Sequence, residues 1–182
     1  MADNEMAVKA SVIPVAYLVS HQFENFSEPA CYDMELAGPG LSVGAESLFL
    51  PILGSVVGVD VQTSMFPITT KYGARTMGLE EMNGLVWNFS AGMRFNRLLV
   101  EFDGGSILGF SGALGLGGSS LMLDGESNSL NEMGMSVFGN NRVSYGVDWI
   151  EGFVGANALW TFAGDDNFGG TIYPDVGVRF SF

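Results

Sequence analysis

The sequence is poor in residues that support covalent or metal chemistry, and poor in positive charge. Among 182 residues it has one cysteine, Cys31, and one histidine, His21. A disulfide within the chain is therefore impossible, and a His/Cys cluster for a transition metal is excluded. Seven lysines and arginines face 20 acids, for a net charge of −13. Nucleic acid is not expected as a partner, because seven cations cannot neutralise many phosphates.

Charge of either sign is scarce. Only 15% of the residues are charged, against about 25% in an average protein, and 47% are hydrophobic, which excludes disorder. The uncharged run from Gly104 to Leu123 could span a bilayer as a helix, but it holds seven glycines. Each disfavours a helix by about 1 kcal/mol, so helical membrane spans are not predicted.

Large apolar residues alternate with small or polar ones, which is the pattern of β-strands. From Leu85 to Phe95 the odd positions are mostly large and apolar, while the even positions include Asn88, Ser90 and Arg94. The same period recurs over 143–149, 154–162 and 176–182. The pattern predicts one all-β domain over residues 1–182, with eight strands of about 9–11 residues and Pro14 as an obstacle within the first.

The connections between these predicted strands alternate in length. The short ones are placed at 51–54, 96–97 and 151–152, and the long ones at 20–38, 67–82, 118–141 and 164–170. Alternating short turns and long loops are typical of outer-membrane barrels, with the termini on the periplasmic side. Five aromatic residues are expected at the membrane interfaces: Trp87, Tyr145, Trp149, Trp160 and Tyr173.

Alternation alone fits two arrangements. In a soluble lipocalin-type barrel the large residues point inward, whereas in a membrane barrel they face lipid. The second face here is mostly small residues with isolated charges, which suits the narrow inside of an eight-stranded barrel. The favoured fold is therefore an eight-stranded antiparallel up-and-down transmembrane β-barrel. Its expected interior charges, paired because buried charges require partners, are Lys9, Glu46, Asp60, Arg94, Glu101, Asp148 and Arg179.

The C-terminus resembles the assembly signal of bacterial outer-membrane barrels. In that signal a polar residue is followed by glycine and then by hydrophobic residues at the third-last and last positions; Asp175, Gly177, Phe180 and Phe182 match it. The whole chain resembles the small barrels of the OmpA transmembrane domain, OmpX and OmpW types. The resemblance implies a monomer in the bacterial outer membrane, in contact with membrane lipid and lipopolysaccharide and inserted by the barrel-assembly machinery. The acidic start, Met1 to Glu5, lacks a signal peptide, so a mature form is expected.

The favoured function is that of a non-enzymatic barrel with an occluded polar interior and acidic surface loops for a structural or surface-contact role. No catalytic, cofactor or metal site is predicted. Three alternatives stay open: a narrow OmpW-like channel for small solutes, a lipid-modifying enzyme, and the soluble ligand-binding barrel. Lipid A deacylases of this architecture use a His-x-Ser pair, and the enzyme alternative would need His21, which has Phe23 at the serine position.

Overall fold

The computed structural model describes residues 5–19, 22–23, 30–31, 33–72, 80–126, 129–147, 149–163 and 167–182. Among these residues, no helix is long and apolar enough to cross a membrane. The strands are β1 (Glu5–Ile13), β2 (Tyr17–Val19), β3 (Gln22–Phe23), β4 (Ala30–Cys31), β5 (Asp33–Leu36), β6 (Gly40–Ile52), β7 (Ser55–Tyr72), β8 (Glu80–Glu101), β9 (Ser106–Asp124), β10 (Ser129–Val147), β11 (Ile150–Ala163) and β12 (Asn167–Ser181).

The long strands form a closed antiparallel ring. Consecutive neighbours pair from β6 through to β12, and β1 pairs with both β6 and β12. The backbone of Met6 and the terminal Phe182 exchange two hydrogen bonds at the closure. Eight positions in the ring are thus filled by the described strands, as the sequence predicts, and closure leaves no sheet edge to be satisfied in lipid.

Two of the eight positions are occupied by an interrupted strand. β2 continues β1 along the same edge of β12, after a break at residues 14–16. The break contains Pro14, which lacks the N–H that a continuous ladder would need. On the neighbouring position, β5 continues β6 along β7 after a break at residues 37–39, which contains Pro39. The ring therefore accommodates both prolines by interrupting a strand rather than by losing it.

Two of the three predicted short turns are misplaced. The β6–β7 turn lies at Leu53 and Gly54, inside the predicted range, with φ values of 49° and 78°, as a tight hairpin turn requires. The β8–β9 turn lies at 102–105 rather than 96–97, because Gly104 and Gly105 supply the positive φ values of 107° and 81°. The β10–β11 connection precedes Ile150, so the predicted turn at 151–152 lies within β11.

The predicted long loops are largely strand. β9 and β10 have 19 residues each and pair from Ser106 and Val147 up to Asp124 and Ser129, which covers most of the predicted loop at 118–141. β7 and β8 likewise pair as far as Tyr72 and Glu80, within the predicted loop at 67–82. The strands therefore exceed the length needed to cross a bilayer. The barrel extends past the membrane at the end that carries the long connections (the loop end), opposite the end that carries the short turns (the turn end).

The outward face of the ring is apolar, which decides between the two arrangements. Trp87, Phe89, Val147 and Phe180 are 45%, 49%, 37% and 39% exposed and do not converge on a common core. The inward face carries the buried polar residues, among them Asp60 and Arg94. This inside-out distribution is that of a transmembrane barrel, and it overturns the soluble lipocalin-type alternative.

The polarity of the two faces reverses toward the loop end. There the inside is an apolar layer, which consists of Ile13, Phe66, Ile68, Met82, Val86, Leu121, Leu123 and Tyr173. On the outside at the same level, Glu81, Asn83 and Asp124 are exposed. Beyond the bilayer the outer face meets water, so the apolar residues turn inward as in a soluble protein. The prediction of a polar interior is therefore wrong for this end, and Tyr173 lies in the lumen rather than at a membrane interface.

Candidate functional site

The lumen nearer the turn end is filled by a charged layer of four cations and four carboxylates. Its members are Lys9, Arg94, Arg142, Arg179, Glu46, Asp60, Glu151 and Asp175, each at most 7% exposed. They come from seven strands, which are β1, β6, β7, β8, β10, β11 and β12, and β12 supplies two of them, Asp175 and Arg179. Equal numbers of each sign make the layer neutral, which is the condition for burying charge in a narrow barrel.

Asp60 is the most buried carboxylate of the charged layer and joins β1 to β8. It accepts hydrogen bonds from Lys9 Nζ and from Arg94, whose Nε and Nη2 lie 2.8 Å and 2.7 Å from Asp60 Oδ2. Glu46 lies beside it, with its Oε2 atom 3.0 Å from Arg94 Nε and 3.7 Å from Lys9 Nζ. Two cations thus share two carboxylates at the centre of the lumen.

Arg179 forms a second centre below Asp60, at the turn end. Its Nε donates to Glu46 Oε1 at 2.5 Å, and its Nη1 donates to Glu151 Oε1 at 2.6 Å. Its Nη2 donates to Glu5 Oε1 at 2.6 Å. Each guanidinium nitrogen therefore has a carboxylate partner, and Glu46 connects this centre to the one around Asp60.

The third centre is the pair of Arg142 and Asp175. Arg142 Nη2 donates to Asp175 Oδ2 at 3.0 Å, and its guanidinium carbon lies 4.5 Å from the centre of the Phe153 ring. Asp175 also accepts from Ser11 Oγ at 3.0 Å and from Asn157 Nδ2 at 2.9 Å. This carboxylate therefore links three further strands to β12.

Inward-facing glycines make the space for these long side chains. A Cβ atom at Gly44 would lie 2.6 Å from Lys9 Cε, and one at Gly155 would lie 2.2 Å from Asp175 Oδ1 and 2.8 Å from Arg142 Cγ. Contacts under 3.0 Å cannot be accommodated without movement. The high glycine content of the inward face is thus a packing requirement of the charged layer.

The structure brings together five of the seven interior charges named from the sequence: Lys9, Glu46, Asp60, Arg94 and Arg179. Glu101 does not join them; it is exposed and lines the open mouth at the turn end. A register shift between Leu98 and Val100 and its position as the last residue of β8 carry it beyond the layer. Asp148 lies outside the described residues.

Sequence reasoning missed three members of the charged layer. Arg142 lies next to the predicted loop at 118–141, Glu151 lies in a predicted turn, and the sequence indicates Asp175 only as part of the assembly signal. The alternation along each strand indicates all three, because Arg142 shares the inward face with Ser144, Glu151 shares it with Asn157, and Asp175 shares it with Arg179. Of the other signal positions, Phe180 and Phe182 are exposed on the outside, at 39% and 73%.

Candidate chemistry for an enzyme is sparse in the described part of the chain. No group of three or more His, Cys, Asp or Glu residues there is arranged to hold a metal ion. His21, on which the lipid-modifying alternative depends, lies outside the described residues.

No protein-family model and no curated protein matches the chain. Its similarity to known proteins is in three-dimensional structure. The outer membrane protease OmpT of Escherichia coli matches with a TM-score of 0.54 at 7% identity, covering 99% of this chain and 97% of that chain. The outer membrane protein OprG of Pseudomonas aeruginosa matches with a TM-score of 0.53 at 9% identity, covering 98% and 96%.

The attachment invasion locus protein Ail of Yersinia pestis, solved with the heparin analogue sucrose octasulfate, matches with a TM-score of 0.50 at 14% identity, covering 97% of this chain and 99% of that chain. These identities are low, so the likeness concerns the fold. The chain is an eight-stranded transmembrane β-barrel with the fold of the bacterial outer-membrane proteins.

Proposed function

We propose that this barrel is a closed, non-enzymatic protein of the bacterial outer membrane that presents an acidic loop end to the surroundings. The observation that carries the proposal is the filling of the lumen at two successive levels, the charged layer and the apolar layer. A barrel built to conduct would keep a water-filled path at both levels.

The charged layer supports closure because its members bind one another across the lumen. Lys9 and Arg94 bind Asp60 from two different strands. Arg179 binds carboxylates on three other strands, β1, β6 and β11. Opening a path would separate these pairs and leave charges without partners in a narrow, poorly hydrated space, which is strongly unfavourable. The pairs therefore act as cross-links that hold the lumen shut.

The apolar layer supports closure in a different way. Phe66, Ile68 and Met82 are completely buried, and the Phe66 ring packs against the Tyr173 ring with centroids 5.9 Å apart. Apolar constrictions exclude water and so block ions even where some space remains. An ion that entered from the loop end would meet this layer before it reached the charged one.

The charge balance supports a role for the loop end. The charged layer is neutral, so the net charge of −13 resides entirely on the rest of the chain. Glu81, Asp124 and Glu126 are exposed at the loop end. A surface of this sign favours cationic partners and repels anionic ones. We therefore assign the surface-contact role to the loop end, with lipopolysaccharide and its bridging cations as neighbours and the barrel-assembly machinery as the insertion partner.

Planar-bilayer recording tests closure. The purified barrel, refolded and inserted at high protein load, is expected to give no conductance steps, while a porin added to the same bilayer gives them. Reproducible steps from the wild-type barrel would reject closure and support the narrow-channel alternative.

The non-enzymatic part needs a separate test, because OmpT shares the fold and is a protease. We expect the refolded barrel to leave casein intact and to leave the mass of lipid A unchanged. A change in lipid A mass that disappears in a His21→Ala variant would contradict this part and support the lipid-modifying alternative.

A further inference from the structure

One outward-facing side chain does not fit a lipid surface. Asn141 of β10 is exposed on the apolar outer face, and its side-chain amide has no hydrogen bond to any described residue. It lies four residues from Tyr145 and four from Val137, which pairs with Trp160. Tyr145 and Trp160 are among the aromatic residues expected at the two interfaces. Asn141 lies between their levels, about 13 Å along the strand from each, which places it near the bilayer midplane.

An unsatisfied amide at this depth is unfavourable, because hydrocarbon offers neither donors nor acceptors. By comparison, Thr63 is also on the outer face, but its hydroxyl donates to the backbone oxygen of Asn88 at 2.9 Å and accepts from Trp87 Nε1 at 2.7 Å. The barrel thus satisfies one outward polar group internally and leaves the amide of Asn141 for a group outside the barrel.

The residues around Asn141 form a small-residue patch. Its cross-strand neighbour on β11 is Ala156, and the next pair along is Gly139 with Ala158. On the β9 side the patch ends at Phe95, whose ring covers Gly112: a Cβ atom there would lie 2.5 Å from Phe95 Cε1. A groove of about 450 Å³ runs along the outer surface here, lined in part by Met93, Leu114, Gly139 and Asn141. Small residues let another backbone approach closely in a membrane, so the amide is accessible to a second protein.

We propose that the small-residue patch is the contact surface of a two-fold homodimer, with the Asn141 amides of the two copies hydrogen-bonded to each other. An amide carries both donor and acceptor groups, so two copies satisfy each other. Copies inserted in the same orientation are related by an axis along the membrane normal, which places both Asn141 side chains at the same depth. Acyl tails cannot supply such a partner. The dimer departs from the monomer implied by the sequence resemblance.

Energy transfer between donor- and acceptor-labelled copies, refolded into vesicles of phosphatidylcholine over a range of protein-to-lipid ratios, tests the proposal. The wild type should associate as the ratio rises. Asn141→Leu removes the amide and should weaken dimerisation about tenfold. Gly139→Leu should weaken it similarly by adding bulk; its Cβ would have no atom closer than 3.9 Å, so the barrel itself accommodates the change.

The matched control is Ala45→Leu, which places the same leucine side chain on the outer face of β6, directly opposite β10 in the ring. It should dimerise as the wild type does. The boiled-against-unboiled shift in a detergent gel verifies that each variant is folded. A wild type that stays monomeric at every ratio overturns the proposal and leaves lipid as the occupant of the groove. Association of Asn141→Leu equal to that of the wild type also overturns it.

Discussion

Arg94 holds Asp60 of the adjacent strand through two of its nitrogens, at 2.8 Å and 2.7 Å. Asp60 is 0% exposed and Arg94 is 2% exposed. A buried pair of this kind is no proof of net stabilisation, but the loss of one partner is strongly destabilising. The pair therefore gives a sharp test of the charged layer.

Asp60→Asn should destabilise the refolded barrel by about 3 kcal/mol, because it leaves Lys9 and Arg94 with Glu46, a carboxylate that Arg179 already binds. The measurement is urea unfolding in lipid vesicles, followed by tryptophan fluorescence. Asp103→Asn, at an exposed turn position, is the matched control and should change stability by less than about 0.5 kcal/mol. Equal effects of the two substitutions would show that the layer does not hold the barrel together.

Phe66→Ala should cost about 3–5 kcal/mol, since Phe66 is fully buried and its removal leaves a cavity inside the apolar layer. Phe89→Ala removes the same atoms from the outer face, where lipid fills the space and no cavity forms. It should cost clearly less in the same urea titration. The reverse order would mean that Phe66 does not pack within a core.

The two layers should close the lumen redundantly. Replacing Phe66, Ile68 and Met82 together by alanine leaves the charged layer in place, and replacing Lys9, Asp60 and Arg94 together by alanine leaves the apolar layer. Each triple variant should stay silent in planar bilayers, while the six-residue combination should conduct. The gel shift on boiling verifies folding before each recording. Conductance from either triple variant alone would identify the other layer as incomplete.

The sequence predicted the closed ring and the outward apolar face, because alternation is a direct consequence of strand geometry. It also placed Lys9, Asp60 and Arg94 on the inner face by parity alone. The ion pair of Arg142 with Asp175 joins residues 33 positions apart in the chain. No local sequence pattern specifies such a pair.

The errors at the two ends of the barrel have a common physical reason. Strand prediction used the rule that large residues face lipid, and this rule ends where the bilayer ends. Leu121 and Leu123 point inward while Asp124 is exposed outside, so under this rule the inverted pattern predicts a loop. At the other end, Gly104 and Gly105 form the turn that was predicted at 96–97.

Changes at the C-terminal residues should affect assembly in cells and stability in vitro separately. Phe182 is 73% exposed on the outside, so deleting it removes little side-chain packing together with its two backbone hydrogen bonds to Met6. Refolding in detergent should therefore change much less than assembly in cells. Assembly in cells should fall severalfold if the residue is read by the assembly machinery, as the resemblance implies.

Asp175→Ala should instead lower the stability of the refolded barrel by about 3 kcal/mol, because it removes the carboxylate that binds Arg142, Ser11 and Asn157. The measurements are the yield of heat-modifiable barrel in membranes and the urea midpoint of refolded protein. Equal cellular yields with and without Phe182 would remove the assembly role and leave Phe182 as an ordinary lipid-facing residue.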